Sequence, residues 1–210
     1  MKTLTEVIHQ KKEPQTQLPS SPDLLQKSRA IMQKYGLREN FLTIFNPDKQ
    51  REICINANLC FFGDAPTLSQ INVTYGRHTA AMWLIPQLYN LSEYCGCRDK
   101  LKGKPLEECA SVIASEFHWL KVTELMLFFH RFKSGRYGRF YGSVDPLVIT
   151  TSLHEFLKER GLSYDRHEQE IQQAKDAESK KKAITWEEYC RKNGREVTPN
   201  PLSSLNSDGK

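Results

Sequence analysis

Apolar positions along the chain fall into helical spacing over its middle and thin out at both ends. The clearest run begins at Thr67, where Thr67 and Gln70 form a capping-box pattern. Residues 77–94 place Ala81, Leu84, Ile85, Leu88 and Leu91 on one face. Pro86 lies inside that run, so a kink or a restart is expected there, and Cys95-Gly96 closes it. A basic loop, CRDKLKGK, covers 97–104. Pro105 then opens a helix carrying Leu106, Cys109, Ala110, Ile113, Ala114 and Phe117 on its apolar stripe. The next helix starts near Thr123, runs through ELMLFFHRFK and stops at Gly135. The best-marked helix follows, with Asp145 as cap, Pro146 as first residue, Leu147, Val148, Ile149, Leu153, Phe156 and Leu157 on its buried side, and Gly161 as terminator.

The flanks read differently. Residues 1–20 form a polar, Pro-containing leader, predicted to be disordered. Within 21–66, Ser21, Pro22 and Gly36 mark the start and stop of one helix. FLTIF and EICINANLCFF beyond it fit either a strand hairpin or two short helices, because short apolar runs are not assignable by period. Residues 67–161 form the helical core domain. Residues 162–183 carry almost no apolar stripe and read as a solvated charged spacer or an extended helix. Residues 184–194 contain a second capping box, Thr185 and Glu188, with Ile184, Trp186 and Tyr189 as apolar anchors. A short capped helix on a charged tether is suited to docking on a protein partner, or to folding back on its own domain. Residues 195–210 are predicted to be a disordered tail. The fold class expected is mainly α: a small helical bundle with a glycine/aromatic turn or hairpin and flexible tails.

Composition narrows the function. The chain has 210 residues, 39% of them hydrophobic, with a formal net charge of +5. Mean hydropathy is −0.59, low for a fully packed globule of this length. The six cysteines make no C-x-x-C pair, and Cys95-Gly96-Cys97 has no second pair or nearby His to complete a zinc site. Met1–Lys12 is polar and lacks the apolar segment of a secretory signal. These features predict a cytoplasmic protein with reduced thiols, no membrane association and no metal or other cofactor.

No phosphate loop, dinucleotide glycine pattern, H-E-x-x-H or G-x-S-x-G is present. The six histidines converge with no base, nucleophile or ligand set, so no catalytic residue and no small-molecule substrate is assigned. Glu107-Glu108 and Glu187-Glu188 sit in first helical turns, where the helix dipole accounts for them.

The densest chemistry lies in FFHRFKSGRYGRFYGSVDP, residues 128–146. From Lys121 to Gly142 there are five Lys/Arg and one carboxylate, a net 5 − 1 = +4. Phe128, Phe129 and Phe132 belong to a buried helix end. Arg131, Lys133, Arg136, Tyr137, Arg139 and Tyr141 are the candidate nucleic-acid contacts: arginines match phosphate in bidentate geometry and aromatic faces stack on unpaired bases. The bland alternative is architectural, with the arginine stems covering apolar surface and Phe140 or Tyr141 packing back on the next helix. Gly135-Arg-Tyr-Gly138 has the Gly-x-x-Gly spacing of a K-homology loop, without the β-α-α-β periodicity around it.

The stretch ELMLFFHRFKSGRYGRFYGSVDPLVITTSLHEFLKER resembles a family of uncharacterised proteins of gut-bacterial prophages and mobile elements, over about residues 67–161. Gly135, Tyr137, Gly138, Tyr141, Asp145, Val148, Ile149, Glu159 and Arg160 carry the likeness. A remoter similarity of layout is to phage replisome organisers and helicase loaders. The family itself carries no established activity; the remoter similarity implies an accessory role in replication or mobile-element maintenance, and together with the basic turn and the C-terminal element the expectation is a non-enzymatic adaptor in DNA replication or mobile-element maintenance. Its turn would contact single- or double-stranded DNA; Ile184, Trp186 and Tyr189 would engage a replicative helicase or other replication protein. The alternative is a protein-interaction module that binds no nucleic acid.

Overall fold

The computed structural model describes residues 22–183 and 186–194, the Trp186 side chain aside. The leader, Ser21, Ile184 and the 195–210 tail lie outside the described residues. The chain divides into two compact units, Met1–Gly161 and Leu162–Lys210.

The first unit is helical. Its elements are α1 (Pro22–Tyr35), α2 (Arg38–Ile44), a 3-10 turn (Pro47–Lys49), α3 (Gln50–Ile53), α4 (Ala57–Phe62), α5 (Leu68–Tyr75), α6 (Thr79–Tyr94), α7 (Lys104–Glu116), α8 (Val122–Lys133) and the first part of α9 (Pro146–Lys182). The open choice over 37–66 resolves to short helices. Asn46 and Asn56 set the starts of the 3-10 turn and of α4 by accepting backbone N–H bonds from Asp48 and Lys49 and from Asn58. The Thr67–Gln70 capping box forms in both directions, at 2.8 and 3.2 Å.

Helix α8 is the centre of the unit. Every residue from Val122 to Phe129 is buried, so over these turns the helix has no wet face. Its start is pinned to the start of α5: Leu68 N–H donates to the Leu120 carbonyl and Val122 N–H to that of Pro66, both at 3.0 Å. Helix α6 buries Trp83, Leu84, Leu88 and Leu91, and α7 buries Leu106, Cys109, Ala110 and Ile113. Helix α9 contributes Ile149, Ser152, Leu153 and Phe156, an i, i+3, i+4, i+7 stripe.

Two helix boundaries differ from expectation. Helix α6 runs through Pro86 without restarting. Pro86 and Met82 are both exposed, so the Met82 carbonyl that loses its donor is on the wet side of the helix. Helix α9 runs through Gly161 to Lys182 rather than ending there. An interior glycine costs only about 1 kcal/mol against alanine, and the Glu-, Gln-, Lys- and Ala-rich residues that follow sustain the helix. Past residue 168 that helix is wholly exposed, braced by i, i+4 pairs such as Lys182–Glu178. The second unit also holds α10 (Trp186–Lys192), in which Cys190 is buried and Tyr189 is exposed.

No helix among the described residues is long and apolar enough to cross a membrane. The described residues contain no strand, only isolated bridges at Thr67–Lys121 and Asp99–Ser143.

Candidate nucleic-acid interface

The glycine/aromatic turn begins where α8 ends, and its backbone is closely specified. Gly135 takes φ +81°. Its N–H donates to the Phe132 carbonyl at 2.9 Å, and Arg136 N–H donates to the Arg131 carbonyl at 3.2 Å. These two bonds are the Schellman pair, which needs a left-handed residue at this point and therefore favours glycine. The motif delivers Arg136 beside Arg131, and both guanidinium groups meet one carboxylate.

That carboxylate is Glu159 of α9. Arg131 donates to Oε2 at 2.8 Å, Arg136 donates from Nε to Oε1 at 2.7 Å, and the Tyr137 hydroxyl donates to Oε2 at 3.3 Å. Tyr137 is buried, its ring against Phe128 and Phe132 at 5.5 and 6.0 Å between centroids. Burial first, and then the Glu159 charge, push its phenol up to about 12. Arg131 also lies over the Phe61 and Phe156 rings. A second hub stands one residue along α9: Arg160 donates to the fully buried Glu124 at 2.7 Å and covers the Trp119 ring at 4.9 Å.

The candidate contacts therefore separate. Arg131 and Tyr137 are packed into the junction of α8 and α9, and the Tyr137 face is not available for stacking. Arg136 is half exposed but ion-paired. Lys133 reaches inward, donating to Gln50 Oε1 at 2.7 Å and to Asn90 Oδ1. Burial pushes its ammonium below the ordinary lysine value, against a smaller upward pull from Asp48. Lys133 heads a buried polar chain: Gln50 donates to Gln87 at 2.6 Å, and Gln87 and Trp83 each donate to the Phe45 carbonyl at 2.8 Å. Arg139 is exposed and makes no hydrogen bond or ion pair with the described residues. Tyr141 is 87% exposed. Phe140 stacks on Phe132, centroids 5.2 Å apart and planes at 15°, which holds the outer part of the turn against the core. Of the partner-binding set, only the Tyr189 side chain falls among the described residues.

The turn is not alone. Asp99 N–H donates to the Gly142 carbonyl at 3.2 Å, and Val144 N–H donates to that of Asp99 at 3.0 Å. This clip joins the basic 97–104 loop to the end of the glycine turn. Residues 97–104 and 134–144 together hold six Lys/Arg and one acid, a net 6 − 1 = +5. Lys100 is spent on Glu93 at 2.5 Å, and Lys104 lies 3.6 Å from Glu108. Arg98 and Lys102 are exposed and, with Arg139, have no partner among the described residues. The two loops stand some forty residues apart in the sequence, and nothing in their spacing announces this two-bond bridge.

Residues 102–197 match a family of unknown function, DUF6633. That segment holds Lys102, the glycine turn, Glu159 and Arg160, and excludes Arg98 and the buried glutamines. No curated protein and no solved structure matches the chain.

Proposed function

We propose that this chain is a non-enzymatic adaptor of DNA replication or mobile-element maintenance that holds nucleic acid on the clipped pair of loops. One observation carries the reading: backbone bonds between Asp99 and both Gly142 and Val144 join the two loops that carry Arg98, Lys102 and Arg139, each exposed and none neutralised by a described carboxylate. Uncompensated cations beside an exposed aromatic, Tyr141, suit a strand whose phosphates pair with the cations and whose bases are open to stacking. Arg131, Arg136 and Tyr137 serve this surface by holding the turn in place, not by touching the strand. The test is an electrophoretic shift with labelled single-stranded and duplex DNA at low salt. The Arg98→Ala/Lys102→Ala/Arg139→Ala protein loses binding while its helical content is unchanged. If wild type shifts neither probe, the reading is wrong.

A second reading, a protein-interaction module with an architectural turn, is favoured by the capture of both Arg131 and Arg136 on Glu159. Under it the triple variant keeps its partner, and Trp186→Ala or Tyr189→Ala in α10 releases a replicative helicase or other replication protein captured from the host.

A further inference from the structure

Beside the clipped loops a groove of about 280 Å³ runs between the end of α6 and the glycine turn. Tyr94 and Phe140 line it, with Lys133, Gly138 and Arg139. Its lining carries two cations and no carboxylate, so its charge complements an anionic occupant. Tyr94 is 64% exposed, with the Lys133 ammonium 5.8 Å from its ring centroid. Phe140 is fixed by its stack on Phe132. Gly138 has φ +99°, and a Cβ there would meet no atom within 4 Å. Its glycine answers to the backbone angle, and the bare main chain leaves that side of the groove open. The volume is just below the roughly 300–1,000 Å³ of pockets for drug-sized ligands, so it suits one flat ring system. An occupant with a flat body and a negative charge beside it has the chemistry of a nucleotide in a strand.

Resting on the reading of the clipped loops as a nucleic-acid surface, we propose that this groove takes one unpaired nucleobase, stacked on Tyr94, with its adjoining phosphate on Arg139. The protein is then selective for single strands, because a paired base is not free to enter.

The experiment is fluorescence anisotropy with the full chain and two labelled strands of about 15 nucleotides, within the site sizes of single-strand binders. One is oligothymidylate; the other has the same sugar–phosphate length with every base replaced by an abasic spacer. Wild type is expected to hold oligothymidylate about 5- to 150-fold tighter than the abasic strand, the span that stacking on one aromatic gives. Tyr94→Ala brings the two affinities together by weakening only the first, and Tyr94→Phe restores the difference. Tyr94 is largely exposed, so its replacement leaves the core intact, which circular dichroism checks. Equal wild-type affinity for the two strands, or tighter binding of duplex than of single strand, overturns the base site while leaving the phosphate surface standing. Failure to bind any strand at low salt overturns both.

Discussion

Replacing Glu159 with alanine removes one acceptor from three donors at the junction of α8, α9 and the glycine turn. The loss can be built up from the contacts. Arg131 is 18% exposed and Glu159 25%, so their 2.8 Å pair is well shielded; a charge-assisted bond of this kind is worth about 1.5–3 kcal/mol. Arg136 is 53% exposed at 2.7 Å, which places its pair with the surface pairs at about 0.2–1 kcal/mol. The buried Tyr137 hydroxyl loses its acceptor at 3.3 Å, about 1 kcal/mol more. Relief of the carboxylate's own desolvation offsets part of the sum. The net expectation is a loss of about 2–4 kcal/mol, or a fall of about 4–16 °C in melting temperature for a unit of this size. The assay is thermal melting followed by circular dichroism at two salt concentrations. Salt should shrink only the Arg136 share, because that pair alone is open to screening. A fall under about 2 °C would refute the view of Glu159 as the clamp of the turn.

Further expectations follow from other contacts. Gln87→Leu leaves the buried Gln50 amide without its acceptor and should cost about 1–3 kcal/mol in urea unfolding; an unchanged midpoint contradicts the Lys133–Gln50–Gln87 chain. Gly135→Ala forces a Cβ into a left-handed residue with open space around it, so its cost is backbone only, about 1–2 kcal/mol by the same unfolding curve. Tyr137, raised to about 12 in the folded protein against about 10 unfolded, favours folding while neutral. Its contribution is full below pH 10 or so and is lost as pH climbs from there toward 12. Tyr137→Phe should therefore abolish that part of the alkaline loss, and identical pH profiles would rule it out. Burial raises the Cys109 thiol to about 11, whereas Cys97 is only half-buried. Iodoacetamide at pH 8 should label Cys97 well before Cys109, with peptide mapping as the readout.

Several elements were legible in the sequence because their signals are local. The Thr67–Gln70 box, the Gly36 and Gly135 stops and the Asp145-Pro146 start of α9 each depend on residues within one turn, and each forms as read; Asp145 accepts from Leu147 N–H at 2.8 Å. Residues 37–66 were ambiguous because their apolar runs are too short to show a period, and only two of their four helical elements start on a side-chain cap, at Asn46 and Asn56. Gly161 misled because a good local stop was outweighed by strong helix formers after it. The ion-pair hubs were hidden for a different reason. Arg131 and Arg136 read as free cations because Glu159 stands 28 and 23 residues away. The one sequence hint was the Glu159-Arg160 pair just ahead of Gly161, where the helix was expected to close. The buried Gln50–Gln87 bond spans 37 residues and had no sequence signal.

The most direct measurement is the salt dependence of oligothymidylate binding by wild type and by the Arg98→Ala/Lys102→Ala/Arg139→Ala variant, read as log affinity against log salt concentration. Three phosphate contacts on a single strand give a slope of about −2 for wild type, and the variant's line should lie below it and be nearly flat. A wild-type line already flat, or a variant line that overlays it, would contradict nucleic-acid binding by the clipped loops.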